Sequence, residues 1–390
     1  MPVNRRILGD NLEILKGMEA DRLTLSTWTR RFSVTGVKYP RQSQGLEFVS
    51  RSKRLLLFVI PSHILPVLFD LSLCPTLLDG IREAAGENIR IYYSEGSHLY
   101  KDRMQGLARE NDRIAEAVAM AKKSDVVILC LGLDETLEGE EGDTSNSYAS
   151  GDKKDLLLPA SQIKLMEAVC AAGKPVVLCL LAGSAIDLRY ADEHCGAILD
   201  CWYPGARGGT AAARLLFGEA SPSGKLPLTF YRSTEDLPPF EDYAMKGRTY
   251  RYYEGELLYP FGYGLTYGDV YAESAAAGAA GETGVTRTVK ARNGGTAATE
   301  DVLQVYVKAE ESPFAPPNPA LCAFKRVAFA AGESREVEIA VDPRAFTVIN
   351  DDGERVSGGG RYRLYAGFGQ PDSRTSALTG YESVVVEIRR

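Results

Sequence analysis

Histidine is the scarcest titratable residue in this chain of 390 residues, which contains only His63, His98 and His194. No two of them have the spacing of metal ligands on one helix or in one loop, so we expect no zinc site. A G-x-x-x-x-G-K-[ST] phosphate loop and a G-x-S-x-G nucleophile elbow are also missing, and the glycines of 205–209 lack the spacing of a dinucleotide site. These absences argue against a nucleotide-dependent or acyl-transfer α/β enzyme. They imply no metal and no organic cofactor.

Positive charge is not in excess, because the chain has 45 Lys and Arg residues and 52 Asp and Glu residues, which gives a net charge of −7. A negative balance argues against nucleic acid or an anionic membrane as a partner. The most apolar stretch, 54–75, is interrupted by two prolines, His63 and Asp70, which argues against a membrane helix. The first ten residues, MPVNRRILGD, show no apolar core or cleavage pattern, so no signal peptide is visible.

Cysteine is present in an odd number, seven, without a C-x-x-C pair. Cys130 and Cys179 lie inside apolar runs, where a thiol behaves as a small hydrophobic side chain. This pattern fits a reducing compartment rather than a disulfide framework, so we expect a cytoplasmic protein.

Two hydrophobic periodicities divide the chain. Over 76–230, short apolar runs alternate with helix-period segments, and the run 126–133 is typical of a strand buried on both faces. We therefore expect an α/β domain with a mostly parallel sheet sandwiched by helices. The stretch 54–61 is a candidate first strand, whereas the rest of 1–75 is an atypical segment, either partly disordered or the start of the α/β domain.

The C-terminal part alternates with a period of two. Five strand-like runs, at 286–293, 301–309, 335–341, 361–368 and 383–390, predict an all-β immunoglobulin or fibronectin type III-like sandwich over 271–390. The small-residue stretch 272–284 is interpreted as a linker or an exposed loop near the first strand. Between the two domains, 231–270 is rich in Tyr, Pro and Gly, and we expect it to wrap over the surface of the α/β domain.

Three motifs stand out in the first two-thirds of the chain: WYPGARGG (202–209), PSGKLP (222–227) and YPFGYGLTY (259–267). Each has a structural interpretation; in the first, Gly208 and Gly209 are expected to let a helix start close against the sheet. Together with SDVVILCLGLDETLEGEEGD (124–143), they resemble the second domain of family 3 glycoside hydrolases, the β-glucosidase and β-xylosidase type. The segment from about 291 to 368 is similar to that family's fibronectin type III-like domain. The resemblance runs from about residue 76 to the end.

Residues 137–143, LEGEEGD, place three glutamates and one aspartate in seven positions directly after the apolar strand. By itself this acidic loop could be a solvated turn, a cation site or the carrier of one proton-donating carboxyl. The family resemblance implies the last of these, in a pattern like E-x-E-G-x-D that Glu138, Glu140 and Asp143 match. Glu140 then inherits the acid/base role. Glu141 stands where the pattern has glycine, so Glu141 remains an alternative.

The second catalytic carboxyl of the resembled family is an aspartate on a (β/α)₈ barrel, a fold of roughly 250 residues. No residue of this chain matches that nucleophile, and residues 1–75 are too few for a barrel. The resemblance thus implies hydrolysis of terminal β-D-glucosides by a member that is truncated or disrupted at its N-terminus and needs a barrel for activity. The expected partners are an oligosaccharide or β-glucoside, and either a separate barrel-bearing chain or a second copy. The alternative is a non-catalytic carbohydrate-binding or scaffold protein.

Overall fold

The structure, a computed structural model, describes residues 35–38, 54–59, 75–103, 105–139, 151–281 and 284–389. The first described layer is a six-stranded sheet with helices on both faces. Its strands are β1 (Thr35–Lys38), β2 (Arg54–Val59), β3 (Arg90–Ser94), β4 (Val126–Gly132), β5 (Val176–Leu181) and β6 (Ala197–Asp200). Its helices are α1 (Leu77–Ala85), α2 (Asp112–Lys123), α3 (Ala160–Cys170), α4 (Arg189–His194) and α5 (Gly208–Leu216).

The strand order in this sheet is β1-β6-β5-β4-β2-β3. Strands β2 to β6 pair in parallel, and β1 adds an antiparallel edge next to β6. The predicted α/β class is therefore confirmed, and the candidate strand at 54–61 takes a place between β3 and β4. The sequence pattern did not predict strand β1.

Every residue of β4 is buried, because successive side chains point into two different cores. Val127 and Leu129 pack on one face with residues of α2 and α3. Val126 and Ile128 pack on the other face with residues of α1 and α5. A strand buried on both faces loses the polar alternation of a half-exposed strand, which explains the continuous apolar run in the sequence.

In helix α3 a polar side chain is more deeply buried than its apolar neighbour. Ile163 is only half-buried, whereas the polar Gln162 is completely buried. Its amide accepts a hydrogen bond from Gly132 N–H at 2.9 Å and donates to the carbonyl oxygens of Gly132 at 2.7 Å and Leu99 at 2.8 Å. A buried polar side chain is stable only with such partners. Gln162 thus fastens the first turn of α3 to the end of β4, where the acidic loop begins.

Gly209 makes its close approach to a helix rather than to the sheet, so that part of the prediction is wrong. A Cβ atom at Gly209 would lie 2.1 Å from the carbonyl oxygen of Thr76 and 2.4 Å from that of Pro75, at the start of α1. A Cβ atom at Gly80 of α1 would in turn lie 2.2 Å from the carbonyl oxygen of Gly209. The two glycines let α1 and α5 cross with their backbones in contact.

A segment of short elements follows the α/β layer: β7 (Phe230–Tyr231), α6 (Thr249–Tyr252) and β8 (Leu257–Tyr259). Strands β7 and β8 pair antiparallel. Tyr259 and Tyr263 are buried and stack with ring centroids 5.6 Å apart. These rings pack in the same core as α2 and α3, so the segment covers that face.

The C-terminal part is an antiparallel sandwich, as predicted. Its elements are β9 (Val270–Gly281), β10 (Gly284–Asn293), β11 (Thr299–Ala309), β12 (Ala320–Phe329), β13 (Ser334–Val341), β14 (Thr347–Ile349), β15 (Arg355–Ser357), β16 (Arg361–Gly367), α7 (Ser373–Thr379) and β17 (Val384–Arg389). One sheet has the order β13-β10-β9 and the other β12-β11-β16-β17. The interpretation of 272–284 as a linker or exposed loop is wrong, because most of it lies in β9, which pairs with β10.

A buried ion pair joins the two layers. Lys225 Nζ lies 2.8 Å from Asp301 Oδ1 and donates to the carbonyl oxygen of Gly264 at 2.6 Å. Burial raises the pKa of Asp301, and the Lys225 ammonium opposes this shift. Within the described ranges, no helix combines the length and the apolar character that a membrane crossing requires.

Candidate active site

The carboxyl ends of β4, β5 and β6 lie side by side in the sheet, at the edge where parallel α/β sheets place their ligand sites. Each strand is followed within six residues by a polar side chain that joins one cluster. Glu138 follows β4, Ser184 follows β5 and Tyr203 follows β6. The sheet topology therefore brings together residues that are up to 65 positions apart in the chain.

Glu138 is the centre of this cluster. Its Oε2 accepts a hydrogen bond from Gly183 N–H at 2.7 Å and another from the Tyr203 hydroxyl. Its Oε1 accepts from the Ser184 hydroxyl. Its side chain is only 11% exposed, so these bonds replace the water that the carboxylate would otherwise hold. The hydrogen bond to Glu138 and burial raise the pKa of the Tyr203 hydroxyl, with burial the larger cause.

Lys153, which follows the acidic loop in the chain, belongs to the same cluster. Its Nζ donates to Ser184 Oγ at 2.6 Å and to the carbonyl oxygen of Ala185 at 3.0 Å. Nζ also lies 4.0 Å from Glu138 Oε1, which makes an ion pair at the edge of direct contact. Burial lowers the pKa of Lys153, and the Glu138 carboxylate opposes that shift.

Gly183 allows the cluster to close. A Cβ atom at this position would lie 2.8 Å from a ring carbon of Tyr203 and 3.1 Å from Glu138 Oε2. Real Cβ atoms do not approach ring carbons so closely, so a larger residue would push Tyr203 or Glu138 away. The absence of a side chain at Gly183 therefore allows the Glu138 carboxylate to accept a hydrogen bond from the Gly183 N–H.

Asp200, the last residue of β6, is buried beside the cluster. Its Oδ1 accepts from Trp202 N–H at 3.2 Å, in a turn where Trp202 has a φ of 51°. Its Oδ2 has no hydrogen-bond partner among the described residues. Burial, the larger cause, and the nearby Glu138 charge raise the pKa of Asp200 well above 3.8. Both causes favour the neutral form of this carboxyl over its ionised form.

Asp200→Asn tests this assignment through stability. A carboxyl whose pKa is raised in the folded state must take up a proton on folding, so its contribution is complete below pH 3.8 and is lost as pH rises towards the folded-state value. Between pH 3.8 and the folded-state pKa, we expect the free energy of unfolding of the parent to fall relative to that of the variant by about 1.4 kcal/mol per pH unit. Urea unfolding at about pH 5, 6 and 7 measures the slope. Asp352→Asn, in an exposed turn, is the control; parallel curves for parent and Asp200→Asn would show that Asp200 is ionised in the folded state.

Of the residues predicted from the acidic loop, Glu138 is described, whereas Glu140, Glu141 and Asp143 lie outside the described residues. Glu140 and Glu141 therefore remain predictions. Sequence reasoning missed Lys153, Ser184, Tyr203 and Asp200. A signal was available for three of them, because each ends or closely follows a predicted parallel strand and such strand ends converge. Lys153 carried no signal of this kind.

An apolar cavity of about 530 Å³ adjoins the cluster, and Gly183 and Ser184 line both. Leu237 and Met245 line the cavity, and the segment between them carries two strongly exposed rings, Phe240 at 71% and Tyr243 at 86%. Met245 is 49% exposed. Such a patch is typical of an interaction surface. In the described part of the chain, no three His, Cys, Asp or Glu side chains are placed to hold a metal ion.

Two family models match the chain. Residues 39–267 match the glycosyl hydrolase family 3 C-terminal domain, and residues 301–370 match a fibronectin type III-like domain. The first match covers more than half of the chain, and the two matches follow the order that the resemblance implied.

Relatives with known names agree with these models. The chain is 36% identical to a xylan 1,4-β-xylosidase of Xylanibacter ruminicola over 281 residues, which is 70% of this chain and 32% of the relative. It is 30% identical to a periplasmic β-glucosidase of Salmonella typhimurium, over 75% of this chain and 41% of the relative. A solved β-glucosidase structure from Erythrobacter marinus is similar with a TM-score of 0.74 and 27% identity, over 91% of this chain and 49% of that one. The chain thus spans well under half the length of both curated relatives.

Proposed function

This chain belongs to glycosyl hydrolase family 3, and from that premise we propose that it serves the hydrolysis of terminal β-D-glucosides, with Glu140 as acid/base. The observation that carries the proposal is the position of Glu138, which is fixed by three hydrogen bonds where three parallel strands end. Glu140 follows it by two residues. A carboxyl at this edge of the sheet would stand where α/β folds hold their ligands.

Retaining glycoside hydrolysis requires one carboxyl that protonates the departing glycosidic oxygen and a second that attacks the sugar. Glu138 is a poor choice for the first role, because both of its oxygens already accept hydrogen bonds from protein groups. Glu140 and Glu141 are the next two glutamates in the chain and are therefore the candidates for this role. We assign the donor role to Glu140 and keep Glu141 as the alternative.

The attacking carboxylate, in this proposal, comes from a (β/α)₈ barrel outside this sequence. In retaining enzymes the two carboxyl groups are only about 5 Å apart, so the barrel would have to dock beside the acidic loop. The exposed rings of Phe240 and Tyr243 lie in the chain between Leu237 and Met245, which line the cavity together with Ser184, and they support this choice of docking surface.

Phe240→Ser tests the docking surface. Loss of a large apolar contact at the centre of an interface typically costs about 2 kcal/mol or more, so we expect at least about tenfold weaker association with a separately purified family barrel. Titration calorimetry measures the affinity. Phe324→Ser is the matched control, since Phe324 is 70% exposed but lies on β12 of the sandwich. Equal affinity for both variants would place the barrel elsewhere.

Turnover tests the reaction and the sugar together. The chain, alone and with the barrel, is assayed with aryl β-D-glucosides and aryl β-D-xylosides. The xyloside is the second candidate substrate, favoured by the 36% identity to a xylan 1,4-β-xylosidase. Hydrolysis of neither at any pH, with sugar binding retained, would favour the alternative of a non-catalytic carbohydrate-binding or scaffold protein.

We also propose a cytoplasmic location. None of the six described cysteines forms a disulfide, which suits a reducing compartment. Cell fractionation tests this directly, and recovery from the periplasm or medium would refute it.

Self-association through the exposed rings of Phe240 and Tyr243 is the remaining partner proposal. In size-exclusion chromatography, the Phe240→Ser variant should then elute as a smaller species than the parent.

A further inference from the structure

We propose that Glu138, Ser184 and Lys153 form a clamp of positioning residues that fixes both ends of the segment 139–152 to the end of β5. The clamp itself is inferred from described side chains. Its relevance to catalysis rests on the proposed function, because Glu140 belongs to the segment between its two ends.

Both ends of the segment converge on one hydroxyl. The Ser184 hydroxyl donates to Glu138 Oε1 and accepts from Lys153 Nζ at 2.6 Å. Lys153 Nζ makes a second bond to the carbonyl oxygen of Ala185 at 3.0 Å. Two residues that bracket a 14-residue segment are therefore joined through a single serine. Closing such a segment costs conformational entropy, and these bonds offset that cost.

The two charged side chains of the clamp are largely buried, which separates them from an ordinary surface ion pair. The side chains of Lys153 and Glu138 are 19% and 11% exposed. An exposed pair contributes little to stability, but removing one partner of a buried pair leaves a charge without compensation. The hydroxyl between the two charges can bond to both at once, because one hydroxyl both donates and accepts.

The base of the clamp is rigid. Glu138 is also held by Gly183 N–H at 2.7 Å and by the Tyr203 hydroxyl, so it is bonded to residues after β5 and after β6. The strand β5 is buried along nearly its whole length. Two peptide units can place the Cα atom of Glu140 no farther than about 7.6 Å from that of Glu138. An anchored Glu138 therefore fixes the point from which the chain continues towards the proposed proton donor.

Ser184→Ala tests the clamp without any need for turnover. We expect the full chain to be cut at least about tenfold faster than the parent by a glutamate-specific protease after Glu140 and Glu141, because the ends of the segment are then released from β5 without global unfolding. Ser184→Thr, which keeps the hydroxyl, should restore slow cleavage. Ser161→Ala is the control, since Ser161 is a buried serine outside the clamp whose hydroxyl donates to the carbonyl oxygen of His98 at 3.0 Å.

Urea unfolding of each variant shows whether faster cleavage reflects local release of the segment or a lower stability of the whole chain. Equal cleavage of the parent, Ser184→Ala and Ser161→Ala would overturn the clamp. Should Ser184→Ala not fold, Lys153→Met and Glu138→Gln test the same two ends, and both must accelerate cleavage at Glu140 and Glu141. Accelerated cleavage in a chain that hydrolyses no glycoside, even with a barrel present, would uphold the clamp and refute the proposed function. In an active assembly, Ser184→Ala should lower kcat while KM stays within about twofold.

Discussion

Gly209→Ala should destabilise the α/β layer by about 3 kcal/mol or more, although alanine is the better helix former. Helix propensity alone predicts the opposite sign, with a gain of about 1 kcal/mol for replacing glycine inside α5. The steric term is larger, because the new Cβ atom would lie 2.1 Å from the Thr76 carbonyl oxygen. That oxygen belongs to the backbone at the start of α1 and cannot rotate away. Either α1 and α5 separate or their shared core opens.

Urea unfolding followed by far-UV circular dichroism measures this effect. Gly106→Ala is the matched control, because a Cβ atom at Gly106 would meet nothing within 4 Å. We expect the control to stay within about 0.5 kcal/mol of the parent. Gly80→Ala should behave like Gly209→Ala, since the two glycines face each other across the same crossing. A Gly209→Ala variant as stable as the parent would mean that the helices can separate at little cost.

The sequence predicted the fold class because both periodicities are strong. The all-buried β4 and the alternating β13 follow directly from which faces meet a core. Strand β9 escaped prediction because its run of alanine and glycine has low strand propensity. Pairing with β10 and the stacking of Tyr271 on Tyr381, 4.4 Å apart, override that propensity.

Only those residues of the candidate site that are close together in the sequence could be predicted. Glu138 and Glu140 belong to one short pattern, whereas Ser184 and Tyr203 join it through the order of β4, β5 and β6. That order is not encoded in any single motif. Gln162 illustrates the same limit on helix α3, where a buried amide takes a position that periodicity assigns to an apolar residue. Polar groups that satisfy backbone atoms of another element leave no periodic signal.

Glu140→Gln should lower kcat by about 10³-fold on glucosides with poor leaving groups, in the presence of the barrel, since general acid catalysis contributes about 10² to 10⁴. The loss corresponds to about 4 kcal/mol of transition-state stabilisation. With a dinitrophenyl leaving group the loss should be far smaller, because that phenolate departs without protonation. Removal of the donor should also flatten the alkaline limb of the pH profile.

Glu141→Gln is the matched variant, because it removes the same carboxyl one position further along the chain. We expect it to keep activity within about fivefold of the parent and to keep the alkaline limb, since loss of a charge that does not transfer the proton is a small effect. Glu138→Gln should instead lower kcat for good and poor leaving groups alike, because an anchor acts on the position of the donor and not on its proton. If only Glu141→Gln shows the dependence on leaving group, the donor is Glu141, and the displaced glycine of the pattern has shifted the catalytic position by one residue.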